Sequence, residues 1–304
     1  MKNLLIFSIF VVAGLTGCVK IDINTGKNLD DLKFSVESSV PEGSKVTNDT
    51  VVVFKIKKPL REFSLEVSNI SGDIKVFKSA KNEIRAILRY RDDAQKHFTV
   101  YVYNTSYSAK ILVKTKEKWR HYRNKGEIDI TLFIPENLGH LTISDVNGDI
   151  VAMDPIKAGE LSLSTVNGSL KGNLRAYSLE VSSVNGSVKV DFSADSADVN
   201  NVNGSIKLSL GEFERVDVNA VNGSISVSIP SDLGIKGEAN TVNGGIHYSE
   251  LEDLPNFEVL EKSSHSLWNF TGGNLKFRIG SWRSSLHIST VNGPIRFHLR
   301  GSMI

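Results

Sequence analysis

The sequence predicts an all-β protein built as a parallel β-solenoid of about 19-residue repeats. The first observation is a triplet. Val-Asn-Gly occurs at Val146-Asn147-Gly148, Val166-Asn167-Gly168, Val184-Asn185-Gly186, Val202-Asn203-Gly204, Val221-Asn222-Gly223, Val242-Asn243-Gly244 and Val291-Asn292-Gly293. The second is its period, because the glycines stand 20, 18, 18, 19, 21 and 49 residues apart. The third is alternation. Leu179 and Val181 precede one corner, and Ile206, Leu208 and Leu210 follow another. Period two marks a strand with one buried face. A variable polar segment such as Ser193-Ala194-Asp195-Ser196 closes each repeat. An antiparallel meander or sandwich, with each Asn-Gly as a tight hairpin turn, is the alternative. A meander does not require one turn to resemble the next. A solenoid does, because equivalent positions touch and stacked Asn side chains can form an amide ladder.

The elements follow in order. Residues 1–17 read as a lipoprotein signal peptide: Lys2, then an apolar run from Leu4 to Ala13. That run is shorter than the ~20 residues a spanning helix needs. It ends in Leu15-Thr16-Gly17-Cys18, a lipobox pattern, and Cys18 is the only cysteine. Lipidation of Cys18 would anchor the chain to a membrane through more than one acyl chain. Val19 rather than Asp follows, which resembles outer-membrane sorting where a host has two membranes. Residues 18–50 form a polar tether with room for a short element at Leu32–Val36. Residues 51–140 are an irregular, β-rich part of the solenoid. The 76 residues between Gly72 and Gly148 leave room for about four coils. A basic hairpin is expected there, with its tip near Lys118–Lys125. Residues 141–304 form the regular solenoid. An insertion at about 250–266 displaces a degenerate copy, Thr271-Gly272-Gly273-Asn274-Leu275.

Ile130-Thr-Leu-Phe-Ile-Pro135, Leu141-Thr-Ile-Ser and Val146-Asn-Gly-Asp-Ile150 together resemble the bacterial putative-adhesin family of β-repeat domains of unknown function. Ile229-Pro230 leading to Val242-Asn243-Gly244 repeats the pattern, and Ile288-Ser-Thr-Val-Asn-Gly-Pro-Ile295 resembles the closing repeat. The resemblance covers about residues 60–300. It implies a right-handed β-solenoid at a bacterial cell envelope, without catalytic residues.

Composition narrows the function further. With 36 Lys+Arg against 34 Asp+Glu, the 304-residue chain has a net charge of +2, unlike a dedicated nucleic-acid binder. One cysteine excludes an intrachain disulfide. No nucleophile elbow, zincin or phosphate-loop motif is present, so no cofactor or metal is expected. The densest charge cluster is Lys114, Lys116, Lys118, Arg120 and Arg123, interleaved with Trp119 and Tyr122. That pattern suits an anionic glycan, a lipid or an envelope protein; a solvated edge that blocks aggregation is the plainer reading. The expected function is a lipid-anchored, non-catalytic binding, adhesion or scaffold module. The alternatives are a polysaccharide-acting enzyme using Asp191, Asp195, Asp198, Glu212, Glu214 and Asp217, and an envelope-stress sensor acting through a protein partner.

Overall fold

The computed structural model describes residues 44–46, 48–116, 126–267, 270–281 and 283–300. It also gives the backbone of three short strands, β1 (Phe7–Val11), β2 (Val19–Ile23) and β3 (Leu32–Val36). Cys18 lies outside the described residues. The chain divides into two compact units, Met1–Gly159 and Glu160–Ile304.

In the first unit, β4 (Ser44–Val46), β5 (Thr50–Lys55), β6 (Ser64–Ser68), β7 (Ile74–Lys78) and β8 (Glu83–Arg91) are followed by a single helical turn, α1 (Ala94–His97). Then come β9 (Phe98–Asn104), β10 (Ser108–Thr115), β11 (Glu127–Ile134), β12 (Leu138–Asn147) and β13 (Ile150–Ala152). Strand β6 pairs in parallel with β10 and β12, and β7 pairs in parallel with β11 and β13. Three stacked coils result: β12–β13, β6–β7 and β10–β11. Beyond β10–β11 the pairing turns antiparallel, through β9 and β4 on one side and β8 and β5 on the other. The interval from Gly72 to Gly148 thus holds one coil and two reversed strands instead of four coils. Asp92 and Asp93, both with positive φ, turn the chain between those reversed strands. Asp tolerates that left-handed region better than most residues. Inward side chains of both sheets, among them Phe54, Leu65, Ile74, Phe98, Ile111 and Leu132, are fully buried.

The second unit continues from β14 (Ile156–Asn167) into β15 (Leu170–Asn185), β16 (Val188–Asn203), β17 (Ile206–Asn222), β18 (Ile225–Ile229), β19 (Ile235–Asn243) and β20 (Ile246–His247). A short helix, α2 (Ser249–Glu252), precedes β21 (Phe257–Leu267), β22 (Phe270–Ile279), β23 (Ser284–Asn292) and β24 (Ile295–Leu299). The long strands β15 to β17 each bend through a variable corner, so one strand serves two faces of the coil. They stack in parallel and in register: Val181 on Val199 on Val218, and Leu170 on Val188 on Ile206. Every one of these six side chains is buried.

The coils are not stacked in chain order. The last coil, β23–β24, inserts between the coil ending in β18 and the coil β19–β20. Strand β23 pairs in parallel with both β17 and β19, and β24 with both β18 and β20. The Gly272-Gly273 segment is not a coil. It lies in β22, which runs antiparallel to β19 and to β21. This hairpin closes the stack. Phe277 sits over Gly237, where an added Cβ would come within 2.1 Å of its ring, and it meets Phe257 and Phe297 at centroid distances of 5.8 and 5.2 Å.

Corners hold the stack. Asn185 Nδ2 donates to Asn167 Oδ1, Asn203 to Asn185 and Asn222 to Asn203, each at 2.9 Å. Asn292 donates to Asn222 at 2.8 Å and Asn243 to Asn292 at 3.3 Å. The glycine amide of one corner donates to the Asn carbonyl of the next, as in Gly186 to Asn203 at 3.0 Å. Stacking this close leaves no room for a side chain. A Cβ on Gly204, whose φ is +137°, would lie 2.1 Å from the carbonyl oxygen of Gly186.

Two substitutions separate these effects. Asn203→Ala removes two exposed side-chain hydrogen bonds, and urea unfolding should show a loss of about 1 kcal/mol. Gly204→Ala adds backbone strain and a backbone clash, so its loss should be on the order of 3 kcal/mol. Equal losses would contradict this account of the corners.

Candidate functional site

The outward positions of the coils form rows, because register places equivalent residues on neighbouring strands about 4.8 Å apart. On the sheet that leads into the corners of the second unit, one row is polar. Asn219 Nδ2 donates to Asn200 Oδ1 at 3.2 Å, and Ser289 Oγ donates to Asn219 Oδ1 at 2.6 Å. Asn240 and Asn274 follow, with Asn274 Nδ2 donating to Asn240 Oδ1. Beside it runs an apolar row. Val166, Val184, Val202, Val221 and Val291 are 38–43 % exposed, and Val242, on β19, is 62 % exposed. Between the two rows, at the β23–β19–β22 end, lies a groove of about 600 Å³ lined by Val242, Val291, Asn240, Ser289, Asn274 and Gly273. The sequence shows a valine before each Asn-Gly; only the register shows that these valines face outward as a stripe.

A third outward row on this sheet carries charge: Glu180, Asp198, Asp217, His287 and Glu238 in successive register. Asp217 accepts from Arg215 Nε at 2.6 Å. The carboxylates singled out in the sequence do not converge on one point. Asp198 and Asp217 lie opposite each other here, whereas Asp191 opposes Ser209 on the other sheet. Asp195, Glu212 and Glu214 belong to the variable corners. Among the described residues, no group of three or more His, Cys, Asp or Glu is placed to hold a metal ion.

The predicted corner residues lie where the coils stack. Asn167, Asn185, Asn203, Asn222, Asn292 and Asn243 form the single ladder above, with Gly168, Gly186, Gly204, Gly223, Gly293 and Gly244 beside them. In the first unit, Asn147 Nδ2 donates to Ile70 O at 3.0 Å, because Ser71 stands where an Asn would continue a ladder. Gly148 packs against Gly72, whose carbonyl oxygen an added Cβ would approach to 2.2 Å.

The basic cluster departs from the expected hairpin. β10 and β11 flank it but pair with different partners, β6 and β9 against β7 and β8, so these two strands are not the arms of one hairpin. Lys114 is exposed, with Nζ 5.5 Å from the centre of the Tyr101 ring. Lys116 is partly buried and donates to Gln95 O at 2.5 Å, so it does not share a free row with Lys114. Lys118, Trp119, Arg120, Tyr122 and Arg123 lie outside the described residues.

One buried carboxylate stands at an interior position that elsewhere carries neutral side chains. At four corners of the second unit the residue three before the glycine points inward and donates to a glycine carbonyl of the adjacent coil, while Ala220 holds that position before Gly223. Ser183 does so to Gly168, Asn201 to Gly186, Thr290 to Gly223 and Thr241 to Gly293. At this position the coil of Gly148 carries Asp145, 3 % exposed, with neither oxygen in a hydrogen bond of good geometry. Burial pushes its carboxyl up to about 7; nearby Asp73 adds to this, and the amides of Val146 and Asn147 and the side chain of Asn69 counter it only in part. Only the protonated acid could donate as Ser183, Asn201, Thr290 and Thr241 do.

A family model described as Toastrack DUF4097 matches residues 86–272. Among solved structures, the chain is similar to one titled a "putative lipid binding protein" from Parabacteroides distasonis, at 16 % identity and a TM-score of 0.46, covering 82 % of this chain and 96 % of that one. It is also similar to a "putative adhesin" from Bacteroides fragilis, at 12 % identity and a TM-score of 0.43, covering 83 % and 98 %. A "putative cell adhesion protein" from Clostridium sporogenes matches at 10 % identity and a TM-score of 0.35, covering 83 % and 100 %. No curated protein matches the chain.

The carboxyl of Asp145 makes stability depend on pH. Its folded value, about 7, exceeds the ordinary 3.8, so between those limits the folded state holds more protons than the unfolded one. Stability should fall as pH rises from about 4 to about 7 and level off above. Asp145→Asn supplies a neutral donor. Urea titrations should find it more stable than the parent at pH 7.5, with the difference vanishing near pH 4. A parent stability that rises through this window relative to the variant would contradict the assignment.

Proposed function

The chain belongs to the Toastrack DUF4097 family, and on that premise we propose that it is a non-catalytic binding module held at the bacterial cell envelope by a lipid on Cys18. The observation that carries this reading is the ordered outer surface. An exposed valine stripe and a hydrogen-bonded Asn/Ser row run side by side along the second unit, bordering a groove. Exposed apolar side chains in a continuous patch rimmed by polar groups mark contact surfaces in soluble proteins. The name of one similar structure, a "putative adhesin", is compatible with this use.

Anchoring rests on the sequence. Leu15-Thr16-Gly17-Cys18 follows an apolar run of signal-peptide size, and the chain has no other cysteine. The basic segment from Lys114 to Lys125 supplies a contact for an anionic envelope component, with Trp119 and Tyr122 available to lie against sugar rings or a lipid interface.

Two experiments test these parts. Cys18→Ser should release the protein from membranes or leave it as unprocessed precursor; a wild-type chain that fractionates as an unmodified soluble form ends the anchoring claim. For the segment, Lys118, Arg120 and Arg123 are replaced by Ser, leaving Lys116 because it supports the fold. Binding to anionic liposomes should weaken several-fold and fall with added salt in the parent, since exposed charges are screened over about 8 Å at physiological ionic strength. Unchanged binding returns the segment to a solvated edge.

A further inference from the structure

The sheet that leaves the corners of the second unit presents a different surface from the sheet that enters them. In register along it stand Lys171, Lys189, Lys207, Ser226, Arg296 and His247. Lys171, Lys189, Lys207, Arg296 and His247 are all exposed. Three lysines therefore sit directly opposite one another on adjacent strands. Like charges in that arrangement destabilise a sheet, and any neutral polar residue would serve solvation equally well. No ion pair engages Lys189, Lys207 or Arg296 among the described residues.

A second row accompanies the first. Two residues before each lysine, on the same outward side, stand Ser169, Ser187 and Ser205, and Ser224 continues the row. Ser187 Oγ lies 3.2 Å from Ser169 Oγ, so the hydroxyls are stacked as the coils are. Each of three consecutive coils thus places a hydroxyl and an ammonium group side by side, repeated about every 4.8 Å along the stack. The span from Lys171 to Arg296 is four strand spacings, about 19 Å.

We propose that this Ser-Lys row is a binding track for a linear polyanion, a polymer carrying phosphate or carboxylate groups along its chain. The claim rests on the reading of the chain as a binding module and adds a second site and a ligand class to it. The shape of the track argues for a chain rather than a membrane surface. The cationic row is a single residue wide, and Asp191 stands beside Lys189 on the same outward side. A flat anionic membrane would meet Asp191 as well, whereas a polymer lying along the stack would follow the hydroxyl and basic groups of the two rows. A bound polyanion would also relieve the repulsion between the stacked lysines.

The test uses the full chain with inorganic polyphosphate as probe and orthophosphate and phosphatidylglycerol vesicles as comparison arms. The parent should bind polyphosphate, at least tenfold more weakly in 300 mM than in 50 mM salt, and should not bind orthophosphate. The variant K171Q/K189Q/K207Q should bind at least tenfold more weakly at the lower salt. Its thermal midpoint without polyanion should equal or exceed that of the parent, since removing opposed like charges does not weaken the sheet. Polyphosphate should raise the midpoint of the parent and leave that of the variant in place. An unchanged affinity in the triple variant overturns the site. If the Lys118, Arg120 and Arg123 variant then loses binding, the module reading survives and this track does not; if neither parent nor variants bind any anionic probe, both fail. Lysine-dependent binding to vesicles without binding to polyphosphate also overturns the proposal, in favour of a membrane surface.

Discussion

The close approach of one Asn-Gly corner to the next governs this structure. Parallel strands about 4.8 Å apart bring the glycine of each corner under the carbonyl of its neighbour, where a Cβ on Gly186 would overlap the oxygen of Gly168. Glycine at that point permits the stack. Asparagine beside it locks the stack, since its amide both donates and accepts along the axis. Once the corners coincide, the strands on either side of them fall into register, and the variable corners absorb differences in repeat length, as between Phe192 and Ala194. Buried Val and Leu fall into interior rows, inward Ser, Thr and Asn reach the neighbouring glycine carbonyls, and outward residues form continuous stripes. The exposed valines, the Asn/Ser row and the stacked lysines are all consequences of the same constraint.

A stack of identical coils has open ends, and an open sheet edge invites further strands. The second unit meets this at its far end with the β21–β22 hairpin. Its strands reverse direction, so the parallel pattern cannot propagate. Cross-strand pairs of Glu261 with Lys276 and of Glu258 with Arg278 decorate it, and a bulge between Val259 and Glu261 disrupts the outer edge. Phe277, Phe257 and Tyr248 close the core beneath. In the first unit the antiparallel strands β8, β9, β4 and β5 follow the coils in the same way.

Much of the regular part was legible because equivalent positions in a solenoid touch, so chemistry repeats where geometry repeats. The corners from Asn167 to Asn222 lie in the order the sequence gives them. What chain order concealed is the placement of the last coil. The 49-residue gap before Gly293 reads as an insertion plus a degenerate copy. It is instead a capping hairpin, and the final coil returns to fill the position between Asn222 and Asn243. β23 carries Leu286, Ile288 and a full Val-Asn-Gly corner, which match the stacked coils, while Gly272-Gly273 lacks both the Val and the Asn. The candidate surfaces were legible only in part. A run such as Lys114 to Lys125 stands out as a cluster along the chain. Lys171, Lys189 and Lys207 are 18 residues apart and become a row only when the coils are stacked.

The corner-driven stack, with its out-of-order coil, is tested most directly by a disulfide. Asp217 and His287 face outward on directly paired strands, and Glu238 lies one strand further on. Neighbouring strands bring Cα atoms within the roughly 4.4–6.8 Å that a disulfide spans, and the next strand lies beyond it. With Cys18 replaced by Ser, the pair D217C/H287C should oxidise to an intrachain disulfide in the folded protein, while D217C/E238C should remain reduced. The opposite outcome would mean that the coils stack in chain order and that the final Asn-Gly corner lies at the end of the ladder, not within it.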